Sequence, residues 1–177
     1  LSGVQDIGSG IKTVMAQILA EQFGVPPAQI AVKIGDTNYP EGPNSGGSVT
    51  TLSLTPAVRD AAWQASQKFL ADVAPALGAS PGDLVLIDGE VRSQSGKIKP
   101  VSFRRAAAKM STTQIAVQAK RMPDYDPKKY LTYGGVDVAE VEVDTELGLI
   151  HFRRVLSVHD CGRPMNPAGV ISQINGG

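Results

Sequence analysis

The sequence is poor in aromatic residues, which make up 5% of its 177 positions, and it holds a single cysteine, Cys161. So few rings argue against a pocket walled by them. With 19 glycines and 12 prolines the chain points instead to many turns and to surfaces lined by backbone. One cysteine excludes an internal disulfide framework and any Cys-rich zinc or iron–sulfur site, and it fits a reducing or an oxidising compartment, cytoplasmic or periplasmic. Charge of neither sign is in excess, since Lys+Arg (17) and Asp+Glu (17) cancel. A neutral balance gives no footprint for nucleic acid or an anionic membrane. No run nears the ~18 apolar residues of a membrane span, so no transmembrane segment is expected.

What is present is a hydrophobic fraction of 42%, ordinary for a folded domain. The length fits one domain or two small lobes, 1–110 and 111–177. Leu1 in place of a start methionine and the ending at Gly176-Gly177 suggest a piece cut from a longer chain.

Apolar residues recur at helical spacing from Ile11 to Phe23, and Gly24 followed by Val25-Pro26-Pro27 stops the helix. Ile30, Val32 and Ile34 alternate as in a short strand. Residues 37–48 are nearly all turn formers. The Ala-rich stretch beyond them predicts a helix capped by Thr55 with Pro56 at its first position, or one starting near Ser48 and kinked at Pro56. Leu84–Ile87, the Asp88-Gly89 turn and Glu90–Arg92 predict a β-hairpin. Val101–Met110 reads as a short helix, Ile115–Ala119 as a strand and Met122–Tyr130 as an exposed connector. Val136–Val143 and Leu149–Val158 predict two strands joined by a turn at Asp144–Gly148. Asn166-Pro167 then opens a last helix. Interleaved helices and hairpins make the class α+β.

Three constellations could carry chemistry. Gly8-Ser9-Gly10 opens directly into the first helix, where glycines admit a ligand to the backbone and helix N–H groups point at an anion. Asp6 just before it would oppose a phosphate or act as a cap. By itself the triplet fits a plain tight turn better than a binding site, and it is neither a Walker loop nor a dinucleotide fingerprint. Ser45-Gly46-Gly47-Ser48 offers consecutive backbone donors suited to an oxyanion or a polar ring edge. A flexible linker ending in a helix cap fits it equally well. His159-Asp160-Cys161 could suggest a thiol nucleophile. Strand neighbours face opposite ways, however, and a small buried sulfur with a partly exposed histidine is the better reading. His151 is too isolated to build a metal site.

Taken in order, these segments resemble the molybdopterin-binding large subunit of the xanthine dehydrogenase/aldehyde oxidase family, in its bacterial aldehyde or isoquinoline oxidoreductase-like branch. The matching stretches are Asp6-Ile-Gly-Ser-Gly-Ile-Lys-Thr-Val-Met-Ala-Gln17, Ile34-Gly-Asp-Thr37, Ser45-Gly-Gly-Ser48, Glu140-Val-Glu-Val-Asp144, Asp160-Cys-Gly-Arg163, and Asn166-Pro167 with Ser172-Gln-Ile-Asn-Gly-Gly177. The resemblance runs over the whole chain. It implies a lobe of the molybdopterin-binding region, with Gly8, Ser9 and Gly10 touching the pterin. Many members carry glutamine where Ser9 stands, so the shorter side chain leaves the backbone to make that contact. It places Gly46, Gly47 and Ser48 close to the metal centre and Gln173 in hydrogen-bonding reach of the cofactor.

The implied reaction is hydroxylation of an aldehyde or N-heterocycle carbon with water as oxygen source. The implied cofactor is molybdenum on molybdopterin, in its cytosine dinucleotide form, with [2Fe–2S] centres and often FAD on partner chains or domains. No protein side chain ligates the metal, and the family's active-site glutamate is expected beyond a point corresponding to Gly177, so the chain alone is expected to be inactive. The implied partners are the remaining segments of the large subunit, an iron–sulfur subunit, a FAD subunit and a small-molecule substrate. Two other functions stay open: a non-catalytic structural or subunit-packing lobe, and a binder of another phosphorylated ligand.

Overall fold

A computed structural model describes residues 1–121 and 134–176. It divides into two compact units, Leu1–Pro123 and Asp124–Gly177. The first unit contains α1 (Ile11–Phe23), α2 (Thr50–Leu77), β1 (Leu84–Ile87), β2 (Glu90–Ser93), β3 (Val101–Ser102) and α3 (Phe103–Ala107). The second contains β4 (Gly134–Asp144), β5 (Leu149–Asp160) and α4 (Pro167–Gly176). Helices interleaved with antiparallel sheets give the expected α+β class. Among the described residues no helix is long and apolar enough to cross a membrane.

The long helix α2 is the spine of the first unit. Its buried residues, from Leu54 through Val58, Ala62 and Ser66 to Phe69, Leu70, Val73 and Ala74, recur every three or four positions and form one stripe. The N-terminal end of that stripe packs with Val4, Ile11 and Met15. Its C-terminal end packs with Leu84, Val91 and Ala106. Between them Gln22 Nε2 donates to Ser66 Oγ at 3.1 Å, and that hydroxyl donates to the carbonyl of Trp63 at 2.7 Å, so the polar atom in the stripe is satisfied.

Helix α2 starts at Thr50, near the earlier of the two predicted starts, and runs through Pro56. A proline inside a helix removes one hydrogen bond and costs about 3 kcal/mol. Leu54 and Val58, buried on either side of it, hold the helix continuous against that cost.

The β1–β2 hairpin turns at Asp88 (φ 50°) and Gly89 (φ 72°), the two left-handed residues of the tight turn that Asp-Gly predicts. The turn meets the end of α1. Gly24 closes that helix at φ 61°, and a Cβ placed on it would lie 1.8 Å from the Gly89 nitrogen. Phe103 N–H donates to the Gly89 carbonyl at 2.7 Å, and its ring stands edge-on to Phe23 and 4.9 Å from Phe69. Helix end, hairpin and α3 thus share one tight junction.

Three expected elements differ. Ile30–Ile34 forms no strand. Only an isolated parallel bridge joins Ile34 to Ser2, with Ser2 N–H donating to the Lys33 carbonyl and Gly35 N–H to the Ser2 carbonyl. Val101-Ser102 is a third strand pairing with β2, which shortens the expected helix to Phe103–Ala107. Ile115–Ala119 is irregular, with no strand paired to it among the described residues. It is held along α2 by Lys68 Nζ donating to the Ala116 carbonyl at 3.2 Å. Just before it, the backbone and hydroxyls of Ser111 and Thr112 donate to Asp72, which ties this segment to the first unit. The connector read at Met122–Tyr130 lies outside the described residues.

In the second unit β4 and β5 form a long antiparallel ribbon. Asp144 Oδ1 accepts the N–H groups of Glu146 and Leu147, which fixes its turn, and Gly148 supplies a φ of 69°. The register shifts between Glu140, opposite Arg154, and Val141, opposite Phe152, leaving Arg153 as the extra residue of a bulge. Asn166 Oδ1 accepts the Gly169 N–H at 3.1 Å, so Asn166 caps α4 as its sequence position suggests.

Candidate functional site

The Gly8-Ser9-Gly10 turn is organised from within. Asp6 Oδ1 accepts the N–H groups of Gly8 at 3.0 Å and Gly10 at 3.2 Å, together with the Ser9 hydroxyl at 3.3 Å. Asp6 is therefore the cap of this turn rather than a group aimed at a ligand. Gly8 (φ 98°) and Gly10 (φ 72°) hold conformations that a side chain disfavours, and no heavy atom lies within 4 Å of where either Cβ would stand. Partial desolvation pushes the Asp6 carboxyl up, but the donors from Gly8, Lys12, Gly10 and Ser9 together hold it below the ordinary carboxylate range.

A carboxyl held low in the folded chain stabilises it above the ordinary value near ~4, and the contribution is lost as pH falls through the depressed value. Asp6→Asn should therefore speed amide exchange in the first turn of α1 at neutral pH. The difference from the parent should shrink as pH falls below about 4. Hydrogen exchange read at Gly8 and Gly10 checks this, and a difference that persists unchanged in acid would show that the carboxylate is not what holds the turn.

The second glycine loop is tied to the first. Ser45 Oγ donates to the Gln5 carbonyl at 2.7 Å, one residue before Asp6. Beyond Ser45 the backbone of Gly47 (φ 64°) and Ser48 (φ 58°) is left-handed, and a serine there is uncommon. Gly46, Gly47 and Ser48 are exposed, and the space beside Gly46 and Gly47 is open to 4 Å. Thr50 Oγ1 donates to the Asn44 carbonyl at 3.2 Å, anchoring the loop to the start of α2. Two exposed glycine turns, fastened to each other and bare of side chains, let a flat polar ring or a phosphate chain lie against main chain. To that extent the residues present fit a pterin cofactor.

Gln173 belongs to the second unit. It lines a cleft of about 480 Å³ with His159, Cys161, Met165, Asn166 and Val170. Among the described residues its amide has no hydrogen-bond partner, which leaves its donors and acceptor available. His159 and Cys161, two apart at the end of β5, both line this cleft, as alternation requires. Cys161 is exposed, not buried, like nearly all of the ribbon it follows. His159 Nε2 lies 3.4 Å from Asp137 Oδ1, and Asp160 Oδ1 accepts the Gly162 N–H. Among the described residues no hydrogen bond joins the Cys161 thiol to the His159 imidazole. Sequence reasoning missed the grouping of Met165 with Gln173; the helical repeat from Asn166 through Val170 to Gln173 was the available signal. It also missed a cleft of about 510 Å³ in the first unit, lined by Ile18, Gln22, Pro56, Arg59 and Trp63 among others.

Known proteins share both sequence and fold with this chain. The aldehyde oxidoreductase molybdenum-binding subunit of Escherichia coli (strain K12) is 31% identical over 173 residues, spanning 97% of this chain and 22% of that subunit. CO dehydrogenase from Oligotropha carboxidovorans superposes with a TM-score of 0.76 at 26% identity, over 98% of this chain and 22% of that one. Quinoline 2-oxidoreductase from Pseudomonas putida 86 gives a TM-score of 0.72 at 25% identity, over 98% of this chain and 23% of that one. The chain thus spans about a fifth of the length of the relatives it matches. The model of the family described as the molybdopterin cofactor-binding domain matches residues 1–177, from end to end, and the chain belongs to that family.

Proposed function

We propose that this chain is a cofactor-binding part of the large subunit of a molybdenum hydroxylase that oxidises an aldehyde or an N-heterocycle with water as oxygen source. The observation that carries the reading is the pair of exposed glycine turns, Gly8–Gly10 and Gly46–Ser48, joined through Ser45 and Gln5 and open beside the backbone. When bound, the molybdopterin group, in its cytosine dinucleotide form, supplies the two-electron oxidation and the oxygen transfer; the protein binds and orients it. Backbone from both turns lies against it, and the short Ser9 side chain, its hydroxyl turned to Asp6, leaves room for that approach. Because Asp6 already takes two of the turn's N–H groups, this turn suits a neutral polar edge better than a phosphate. Electrons would leave through [2Fe–2S] centres, often to FAD, on partner chains or domains. The relatives, named for aldehyde, carbon monoxide and quinoline, support the oxidoreductase class and leave the substrate open.

Gln173 contributes a side-chain contact to the cofactor. In the full-length enzyme Gln173→Leu should lower molybdenum occupancy and rate together, by about 1–3 kcal/mol of lost polar pairing. Full molybdenum content with unchanged kinetics would return Gln173 to the role of a surface residue. The isolated 177-residue chain should contain no molybdenum and turn over no aldehyde, because it holds only some of the segments that clamp the cofactor. Metal analysis by plasma mass spectrometry, with an aldehyde assay, checks this; stoichiometric metal or turnover would contradict it.

A further inference from the structure

The β4–β5 ribbon has no dry side. Side chains on a strand alternate between faces, and the bulge at Arg153 shifts the two ends of the ribbon by one residue relative to each other. Near the open end one face carries Val136, Val138, Leu156 and Val158, while the opposite face there carries Asp137, Ser157 and His159. Beyond the bulge the apolar set changes sides. Val141, Val143, Ile150 and Phe152 now share the second face, continued by Val155. The first face there carries Glu140 beside Arg154, Glu142 bonded to Arg153, and His151, with Leu149 at the turn the one large apolar residue among them. The nine large apolar side chains of the two sets are exposed, from 46% at Val141 to 71% at Phe152. The result is two apolar patches, offset along the ribbon and on opposite faces.

A two-stranded hairpin is marginal by itself in water, and contiguous exposed apolar surface marks a face that something covers. Two opposite patches need two layers. A two-fold contact with a second copy uses one patch against its own image and would leave the other bare; using both patches between copies would propagate rather than close. The first unit's exposed large apolar side chains, Leu1, Ile7, Leu52, Trp63 and Ile87, are scattered singly over several segments, with no contiguous apolar sheet face among its described residues. The relatives, by contrast, carry roughly four-fifths of their chain outside the matched region, since the match spans 22% of them.

We propose that both faces of the β4–β5 ribbon are covered by segments of the same large-subunit polypeptide outside these 177 residues, one apolar layer against Val136, Val138, Leu156 and Val158 and a different one against Val141, Phe152 and their neighbours. The ribbon is then a tongue held between two layers of the larger chain, and the bulge is what lets one ribbon present an apolar patch to each. This inference rests on the apolar pattern and on the length of the relatives, and it stands or falls independently of the cofactor contacts.

The test is photocrosslinking in the full-length enzyme, purified with its partner subunits. A benzophenone amino acid replaces Phe152 in one variant and Leu156 in another, and the crosslinked peptides are identified by mass. The expected result is crosslinks within the same polypeptide to peptides outside the 177 residues, with the two positions reaching different peptides. Crosslinks to a second copy, to a partner subunit or to residues 1–121, or both positions reaching one peptide, would overturn it. Where a benzophenone variant does not fold, Val138→Cys and Val143→Cys, read peptide by peptide, replace it. Both thiols should react with a soluble maleimide at least a hundredfold more slowly in the native enzyme than in urea. That protection should persist after the partner subunits are removed and on dilution to the single large subunit. Fast labelling of either thiol, or protection lost on dilution or with the partner subunits, would overturn it.

Discussion

Gly24→Ala should destabilise the first unit by about 4 kcal/mol or more, whereas Gly78→Ala should cost about 1 kcal/mol. The two glycines make the same backbone excursion. Each closes a long helix in the left-handed conformation, Gly24 at φ 61° and Gly78 at φ 69°. Their surroundings differ. A Cβ on Gly78 meets nothing within 4 Å, so only the conformational penalty applies. On Gly24 it would meet the Gly89 nitrogen at 1.8 Å, the Asp88 carbonyl carbon at 2.6 Å and the Gly89 Cα at 2.7 Å.

These neighbours are backbone and cannot rotate aside. They are held by the paired hairpin and by the Phe103 N–H on the Gly89 carbonyl. Relief requires α1 to pull away from the hairpin, which opens the contacts of Phe103 with Phe23 and Phe69. A loss of this size is a large share of the ~5–15 kcal/mol that holds a domain folded. Soluble yield and urea unfolding of the paired variants measure it. Equal costs at the two positions would show that the helix end and the hairpin do not meet closely.

The elements legible in the sequence were those whose signals are local. Helix α1 ends at Gly24, the Asp88-Gly89 turn makes its hairpin, and Asn166 caps α4, because each depends on a few adjacent residues. The misread segments depended on partners elsewhere. Ile30–Ile34 and Ile115–Ala119 have strand-like composition, but a strand needs a ladder beside it: Ile34 finds a single bridge to Ser2, and among the described residues Ile115–Ala119 finds none. Val101-Ser102 looked helical and is a strand because the edge of β2 is there to receive it. At Pro56 a reliable local rule lost to packing, since the buried stripe of α2 extends past the proline in both directions.

The candidate site divides in the same way. The Gly-x-Gly turn at the start of α1 and the hydroxyl-flanked pair Gly46-Gly47 marked the two main-chain surfaces, and the positive φ values of Gly8, Gly10 and Gly47 follow from residue type, whereas that of Ser48 does not. The bond from Ser45 to the Gln5 carbonyl spans 40 residues and leaves no trace in spacing. The commitment of Asp6 to its own turn was one of two roles the sequence allowed, and only geometry selects between them. The apolar residues of β4 change phase between Val138 and Val141 in the sequence itself; the bulge opposite, at Arg153, is what turns that change into two opposed patches.

The central claim is that the Gly46–Ser48 backbone lies against the cofactor, and the most direct measurement is molybdenum and pterin content of the full-length enzyme carrying Gly47→Val. At φ 64° a β-branched side chain is strained, yet its Cβ meets nothing within 4 Å among the described residues, so on this account the steric block comes from what occupies the space outside them. Gly96→Val is the matched control, with φ 72° and equally open surroundings in the β2–β3 connection. The account predicts that Gly47→Val folds but loses at least about tenfold in cofactor occupancy and turnover, a difference of ~1.4 kcal/mol or more. The Gly96→Val control should keep both. Full molybdenum and pterin with near-normal turnover in Gly47→Val would contradict it and make the loop a plain linker.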